Sequence, residues 1–455
     1  MSAAAQARTT GALTRELAAR AAATDHARLP ADVIEVARHC LIDWFGVTLG
    51  GAREPSPSIA FDAVQAGSAP RTQGCSVIGR AELLAPLDAA LVNGTASHVL
   101  DFDDVNMTFL GHASVAVLGA ALALAEQLDA DGAALIAAFV AGYETACRIA
   151  AALGPQPYMR GWHSTGTVGT FGAAAACARL LGLDPERTAV ALALAASEAA
   201  GIKSNLGTMA KSLHAGRACA AGLLAAQLAA RGFTANTSSI EAEQGFAALA
   251  GGDCDIDAAL ADPPAGWHIR DNLFKYHAAC FFTHSTLEGV ARMRREDSVD
   301  AATLERLELH VSELELGACA IPAPRTGLEV KFSIAHLAAM AMLERPTAVI
   351  ADSDAVDPDV IAVRERIELV GDGAAGRPTL LRALRRDGAS VEAAEDVNAP
   401  LRDHALQLDR LSAKFATLAD PVLGRARAGR LRDALAALDG HTRVPRLMVL
   451  ARPPA

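Results

Sequence analysis

The chain has 455 residues, a formal net charge of −11, and 51% hydrophobic residues of which few are aromatic. Its apolar mass is therefore mostly Ala, Leu and Val, small side chains that let helices approach closely, and the length leaves room for two or three domains. The acidic balance argues against a broad footprint for nucleic acid or an anionic membrane, whereas a small anionic substrate needs only a local convergence of Lys, Arg and His. The cysteines (Cys40, Cys75, Cys147, Cys177, Cys219, Cys254, Cys280, Cys319) stand singly with no Cys-x-x-Cys pair. That pattern suggests neither a zinc ribbon nor a disulfide framework, but reduced thiols in a cytoplasmic protein.

Residues 1–23 are Ala- and Arg-rich, are interrupted by Glu16 and lack an apolar h-region with a cleavage site, so they read as a frayed leader into the first helix. Leu29-Pro30-Ala31-Asp32 opens a run whose apolar residues (Val33, Val36, Leu41, Ile42, Phe45) recur at near-helical spacing, with Gly46 and Gly50-Gly51 expected to close it. The apolar runs 113–125 and 132–141 fall short of the roughly 18 residues of a membrane span and predict buried helices. Gly166, Gly169 and Gly172 sit three apart, which predicts a helical strip that another backbone approaches closely. Asp184-Pro185-Glu186 starts a further Ala-rich helix, with Pro in the first turn where its missing N–H costs little.

From about Pro263 to Pro400 the texture changes. Leu304-Glu-Arg-Leu-Glu-Leu-His-Val alternates as a half-buried strand does, and so, less cleanly, do Arg366-Ile-Glu-Leu-Val and Thr379-Leu-Leu-Arg-Ala-Leu. Asp387-Gly388 signals a hairpin before Ser390-Val-Glu-Ala. Helical patterning returns through Leu408, Leu411, Phe415 and Leu418, then Leu431 to Leu438. The expected fold is mainly α with an inserted α+β domain: an all-helical domain of residues 1–262 and 400–455, interrupted by a smaller α+β domain of residues 263–399.

Four segments carry chemistry. Between Ser97 and His112, three carboxylates (Asp101, Asp103, Asp104) and two imidazoles (His98, His112) share one short stretch beside very apolar helices. A carboxylate in such surroundings must find a cation or donor or give up its charge, so the stretch marks a site, unless these residues only cap a helix and pair with arginines. Asp and His are also metal ligands, but their spacing matches neither His-Glu-x-x-His nor an EF-hand loop, and no metal is expected. His163, in Gly161-Trp162-His163-Ser164-Thr165, stands where a helix start offers free N–H groups to an anion. In Gly207-Thr-Met-Ala-Lys211-Ser-Leu-His214-Ala-Gly216, a helix would put Lys211 and His214 on one face. The fourth segment, Phe274-Lys275-Tyr276-His277-Ala-Ala-Cys280-Phe-Phe-Thr-His284, falls at the expected domain junction, where ligand sites are favoured. Cys280 reads more readily as an inert thiol than as a nucleophile.

Taken in order, these four segments, together with Glu329-Val-Lys-Phe-Ser, resemble the MmgE/PrpD family over nearly the whole chain. The resemblance implies a homodimer whose subunits have a large helical domain and a smaller lid domain, with the active site between them. It also implies cofactor-independent reactions on di- or tricarboxylates, for the family includes 2-methylcitrate dehydratase, cis-aconitate decarboxylase and iminodisuccinate epimerase. On that basis Asp101, His112, His163, Lys211 and Lys275 form the expected catalytic set, with His98, His214, His277, Cys280, His284 and His336 expected around the substrate. The expected activity is that of a lyase or isomerase, 2-methylcitrate dehydratase-like, with decarboxylation, epimerisation or catalytically silent polycarboxylate binding as alternatives.

Physical reasoning agrees with such chemistry, because these reactions develop negative charge at a carbon beside a carboxyl group. Lys211 and Lys275 would hold substrate carboxylates through charge-assisted hydrogen bonds. His163 or His112 would move the proton, a role worth ~10²–10⁴-fold in rate. Asp101 would orient a histidine, while Asp103 and Asp104 read as structural. The chain departs from the family pattern at Val105, where several relatives have Thr, at His336, where the decarboxylase pattern has Tyr, and around His277, which lacks a Pro seen in some relatives. These departures weigh against decarboxylation and against strict 2-methylcitrate dehydration.

Overall fold

The computed structural model describes residues 13–67, 71–251, 253–373 and 378–453, so the expected leader before Leu13 lies outside the described residues. The chain is mainly α-helical and divides into two compact units, Met1–Phe274 with Leu401–Ala455, and Lys275–Pro400. Residues 263–274, grouped with the smaller domain in the sequence, lie with the larger unit. Leu273 and Val105 exchange backbone hydrogen bonds of 2.8 Å, the Tyr143 hydroxyl donates to Asn272 at 2.7 Å, and Arg270 pairs with Asp32. The Pro- and Gly-rich stretch there ends the helical texture but packs as a loop on the helices before it.

The larger unit is built from long helices rich in small residues, with one short ribbon pairing Cys75–Ser76 with Leu83–Leu84. The helix Ala31–Gly51 runs through Gly46 instead of ending there, because a missing Cβ at that point admits the Phe415 ring, 3.3 Å from where the Cβ would lie. The helix Ser164–Leu180 bears the glycine strip. Gly169 and Gly172 meet Ala116 and Val117 of the helix Ala113–Gln127, while Gly166 faces the backbone of Ala200 and Gly201. The helices Pro86–His98 and Ala210–Ala230 cross at Gly94 and Gly216, so closely that a Cβ on Gly94 would lie 2.9 Å from Gly216 Cα. That crossing sets His98 and Lys211 in one neighbourhood.

The helix Gly132–Leu153 is longer than its apolar run predicted, since Glu144 and Arg148 continue it. Its length and composition would suit a membrane span, but 89% of its most apolar window is buried within the protein.

In the smaller unit a four-stranded sheet has the order Ile367–Gly373, Leu304–Ser312, Thr379–Arg385, Ser390–Glu395. The first pair is parallel and the other two are antiparallel. A parallel pair needs a long crossover, and the helices Ile334–Met342 and Pro358–Arg364 lie in it. Asp387-Gly388 makes the expected hairpin turn, with Gly388 at φ +85°. The core joins Leu307, Leu309, Val311 and Leu381 of the sheet to Leu287, Met293, Leu337 and Met340 of the helices.

Candidate active site

Four helix ends meet in the larger unit. His98 is the last residue of the helix Pro86–His98, and Lys211 lies in the first turn of the helix Ala210–Ala230. His112 and His163 each occupy the position immediately before a buried helix, Ala113–Gln127 and Ser164–Leu180, and neither side chain caps its own helix. The His112 backbone N–H donates to Thr165 Oγ1 at 3.2 Å, which ties these two helix starts together. Three helix N-termini therefore carry site residues, and the positive ends of their dipoles favour bound anions.

The loop after His98 supplies the carboxylates. Asp101 adopts a left-handed backbone conformation (φ +53°), which Asp tolerates better than most residues. Its Oδ1 lies 2.8 Å from Lys211 Nζ and 3.8 Å from His112 Nε2. Asp103 Oδ2 lies 2.8 Å from His98 Nδ1 and 2.9 Å from His112 Nδ1. His112 Nδ1 also lies 2.9 Å from the Asp104 carbonyl oxygen. Both neighbours of that nitrogen are acceptors, so Nδ1 carries the proton and Nε2 is the nitrogen presented toward Asp101. His163 Nδ1 and His214 Nδ1 share a hydrogen bond of 3.0 Å. The His98 ring stacks on His163 with centroids 5.7 Å apart and packs against His112 at 4.7 Å.

Burial shapes the electrostatics. It pushes His98 down to about 4 against the pull of Asp103. His163 is lowered well below the usual imidazole range, first by burial and then by the neighbouring imidazoles and Lys211, and His214 is lowered by burial and by Lys211. These three rings are neutral at neutral pH. Burial opposes the charge on Asp103, yet electrostatic attraction to His112 and His98, together with hydrogen bonds from both rings, holds its carboxyl well below the ordinary value.

Asp104 faces other partners. Its Oδ2 accepts from Ser114 Oγ and, at 3.0 Å, from Asn272 Nδ2, and burial together with Asp43 pushes its carboxyl up to about 7. Asp104, read as structural from the sequence, meets Ser114 and Asn272, whereas Asp103, read in the same way, sits among the site imidazoles. The spacing His98-x₄-Asp103-x₈-His112 was visible in the sequence, but nothing in it distinguished which of three carboxylates would meet the rings. Asn272, remote in sequence, carried no signal.

Ligand atoms of His98, Asp103 and His112 lie within 4.8 Å of one another, compact enough to surround a cation. As arranged, the imidazole Nδ1–H groups point at oxygens, so a cation would have to displace those protons.

Six expected site residues (His98, Asp101, His112, His163, Lys211, His214) thus converge in the larger unit. The other five lie in the smaller unit. Lys275 is buried at its start. His277 Nδ1 lies 2.7 Å from Thr347 Oγ1, and its Nε2 lies 3.5 Å from Glu288. His284 is buried with its ring against His277 and Phe281, and Cys280 hydrogen-bonds with the Cys319 thiol. His336, expected beside the substrate, is wholly buried, with Nε2 donating to the Asp354 carbonyl at 2.9 Å and Nδ1 accepting from Arg364 at 3.3 Å. Both its nitrogens are thereby used within its own unit, as a core histidine's must be.

The MmgE/PrpD N-terminal domain profile matches residues 15–259, and the MmgE/PrpD C-terminal domain profile matches residues 277–440. The chain is 26% identical to the cis-aconitate decarboxylase of Aspergillus terreus over 462 residues, covering 94% of this chain and 93% of that protein. It is likewise 26% identical to a cis-aconitate decarboxylase-like protein of Aspergillus oryzae over 459 residues, covering 93% of each. Its identity with human cis-aconitate decarboxylase is 32% over 274 residues, covering 57% of this chain and 56% of that protein.

Proposed function

From a chain that belongs to the MmgE/PrpD family, we propose a lyase acting on a small tricarboxylate of the cis-aconitate kind, without a cofactor. The observation that carries this reading is the Lys211–Asp101 pair set among four imidazoles where three helix N-termini converge. Lys211 and the helix-start N–H groups hold substrate carboxylates and stabilise charge that develops beside them. In a decarboxylation, the C–C bond to the departing CO₂ breaks, and its electron pair spreads into the adjacent double bond until a proton reaches carbon. His112 is the group assigned to that proton: Nε2, directed at Asp101, takes it up from solvent and delivers it to carbon, while Nδ1 stays anchored. His163, neutral and hydrogen-bonded to His214, orients the substrate or accepts a proton from carbon. Lys275 is proposed as a further carboxylate-binding cation, which Lys275→Ala tests separately.

The names of the relatives favour decarboxylation. A second reading, dehydration of a 2-methylcitrate-like substrate, in which a proton leaves carbon and the hydroxyl departs as water, calls on the same carboxylate-holding cation and neutral imidazoles. Assay of purified protein against cis-aconitate, 2-methylcitrate, citrate and aminated succinates separates the two, by CO₂ release in one case and alkene absorbance in the other. Absence of turnover on every substrate by folded protein, with thermal stabilisation by one of them, would replace both readings with a carboxylate-binding role. Full activity in metal-free protein is expected, and activity that depends on a stoichiometric metal would remove the cofactor-free reading. A homodimer is also proposed, to be checked by light scattering.

A further inference from the structure

We propose that Asp103 is the positioning residue of this site, a single carboxylate oxygen that ties the rings of His98 and His112 together and holds His112 Nε2 toward Asp101 and Lys211. The inference rests on the lyase reading for its kinetic consequences, but not for its geometry.

Three observations carry it. Asp103 Oδ2 stands 2.8 Å from His98 Nδ1 and 2.9 Å from His112 Nδ1, so both imidazoles meet the same atom. Asp103 is almost wholly buried, at 1% exposure, as is His98, so neither group exchanges this contact for water. Among the described residues no hydrogen-bond partner reaches the other Asp103 oxygen, Oδ1, or the other His98 nitrogen, Nε2, both buried, so the Oδ2 contact is the hydrogen bond the described structure gives this pair.

The consequence for His112 is electrostatic as well as geometric. The Asp104 carbonyl oxygen at 2.9 Å suffices to keep the proton on Nδ1, but it carries no formal charge. When Nε2 takes up a proton, the ring becomes a cation beside Lys211, and a carboxylate 2.9 Å from Nδ1 offsets that repulsion. His98 has a different use. It stacks on His163 and packs against His112, so fixing it through Asp103 also fixes the rings on either side. Asp103 acts through the two rings it meets.

The test uses Asp103→Asn, which keeps the shape and removes the charge. The expected result is a fall in kcat of about 10²-fold or more with KM changed less than about threefold, in protein whose thermal midpoint stays close to the wild type. In a His112→Ala background the same substitution is expected to cost less than about threefold, because its partner is already gone. Losses that multiply in the double variant, or equal falls in thermal midpoint and activity, would mark Asp103 as merely structural and overturn the proposal. A readout independent of turnover is the ¹⁵N spectrum of histidine-labelled protein. His98, assigned with His98→Gln, should show the Nδ1–H tautomer in the wild type and lose it in Asp103→Asn. An Nε2–H tautomer for His98 in the wild type, or a divalent cation bound stoichiometrically and lost in Asp103→Asn, would overturn the proposal. Failure of every polycarboxylate assay would leave the tautomer measurement standing, so the two readings fail separately.

Discussion

Two lysine–aspartate pairs flank the loop that follows His98, and they differ in what else reaches them. Lys414 Nζ lies 2.5 Å from Asp43 Oδ1 and donates to the Phe102 carbonyl at 2.6 Å, while the Phe102 ring covers the ammonium at 4.0 Å. Both side chains are nearly inaccessible, and burial lowers the ammonium's affinity for its proton while raising the carboxyl's, against their mutual attraction. Lys211 and Asp101, 2.8 Å apart, keep slightly more exposure and stand among imidazoles. The first pair is enclosed by backbone and an aromatic ring, so its chemistry is spent on holding the loop. The second has neighbours that can move protons. A buried ion pair therefore says little by itself about function; its surroundings decide.

The comparison is most sharply broken at the second pair. Lys211→Ala and His112→Ala are each expected to lower turnover by about 10²–10⁴-fold, with a thermal midpoint near that of the wild type, in steady-state assays on cis-aconitate. Retained activity in either variant would put the chemistry elsewhere. The first pair should show the reverse. Lys414→Met leaves Asp43 buried without its cation and is expected to cost ~3–5 kcal/mol in denaturant unfolding, while the folded fraction keeps most of its turnover.

Asp104 lies between these extremes. Its folded carboxyl, pushed up to about 7, holds a proton that the unfolded chain releases near the ordinary carboxylate value. Its contribution to stability is thus full below about pH 4 and is lost as pH rises through about 7. Asp104→Asn removes that dependence. The stability of the wild type relative to this variant should fall by as much as roughly 1.4 kcal/mol per pH unit between about pH 4 and 7, as read from denaturant midpoints across pH. A difference that is flat with pH would mean that the carboxyl stays ionised. The smallest effect belongs to the smaller unit. His336→Phe strands the Asp354 carbonyl and should cost about 1–3 kcal/mol of stability with little change in kcat, whereas a large loss of kcat would restore His336 to the substrate's surroundings.

Much of this was legible along the chain. The alternation in Leu304-Glu-Arg-Leu-Glu-Leu-His-Val became a strand, Asp387-Gly388 became the hairpin turn between Thr379–Arg385 and Ser390–Glu395, and Asp184 with Pro185 opened a helix by accepting the Arg187 N–H. Lys211 and His214 were readable as neighbours because helical spacing is local. The helix ends at Gly50-Gly51 as its sequence suggests, but it runs through Gly46, because what that glycine answers is Phe415, hundreds of residues away. The end of the larger unit was set too early for a similar reason, since residues 263–274 have a loop's composition and owe their place to Val105, Tyr143 and Asp32.

By itself the sequence determined the Ala-rich helical character, the β segment near the C-terminal third and the residue types available for polycarboxylate chemistry, because periodicity, turn propensity and motif order are properties of neighbouring residues. Tertiary structure alone decided how three adjacent carboxylates divide their work. Asp101 meets Lys211, Asp103 meets two imidazoles, and Asp104 meets Ser114 and Asn272. The charge state of a buried carboxyl depends on which donors and cations reach it through space, and that is settled only when the helices carrying them have packed.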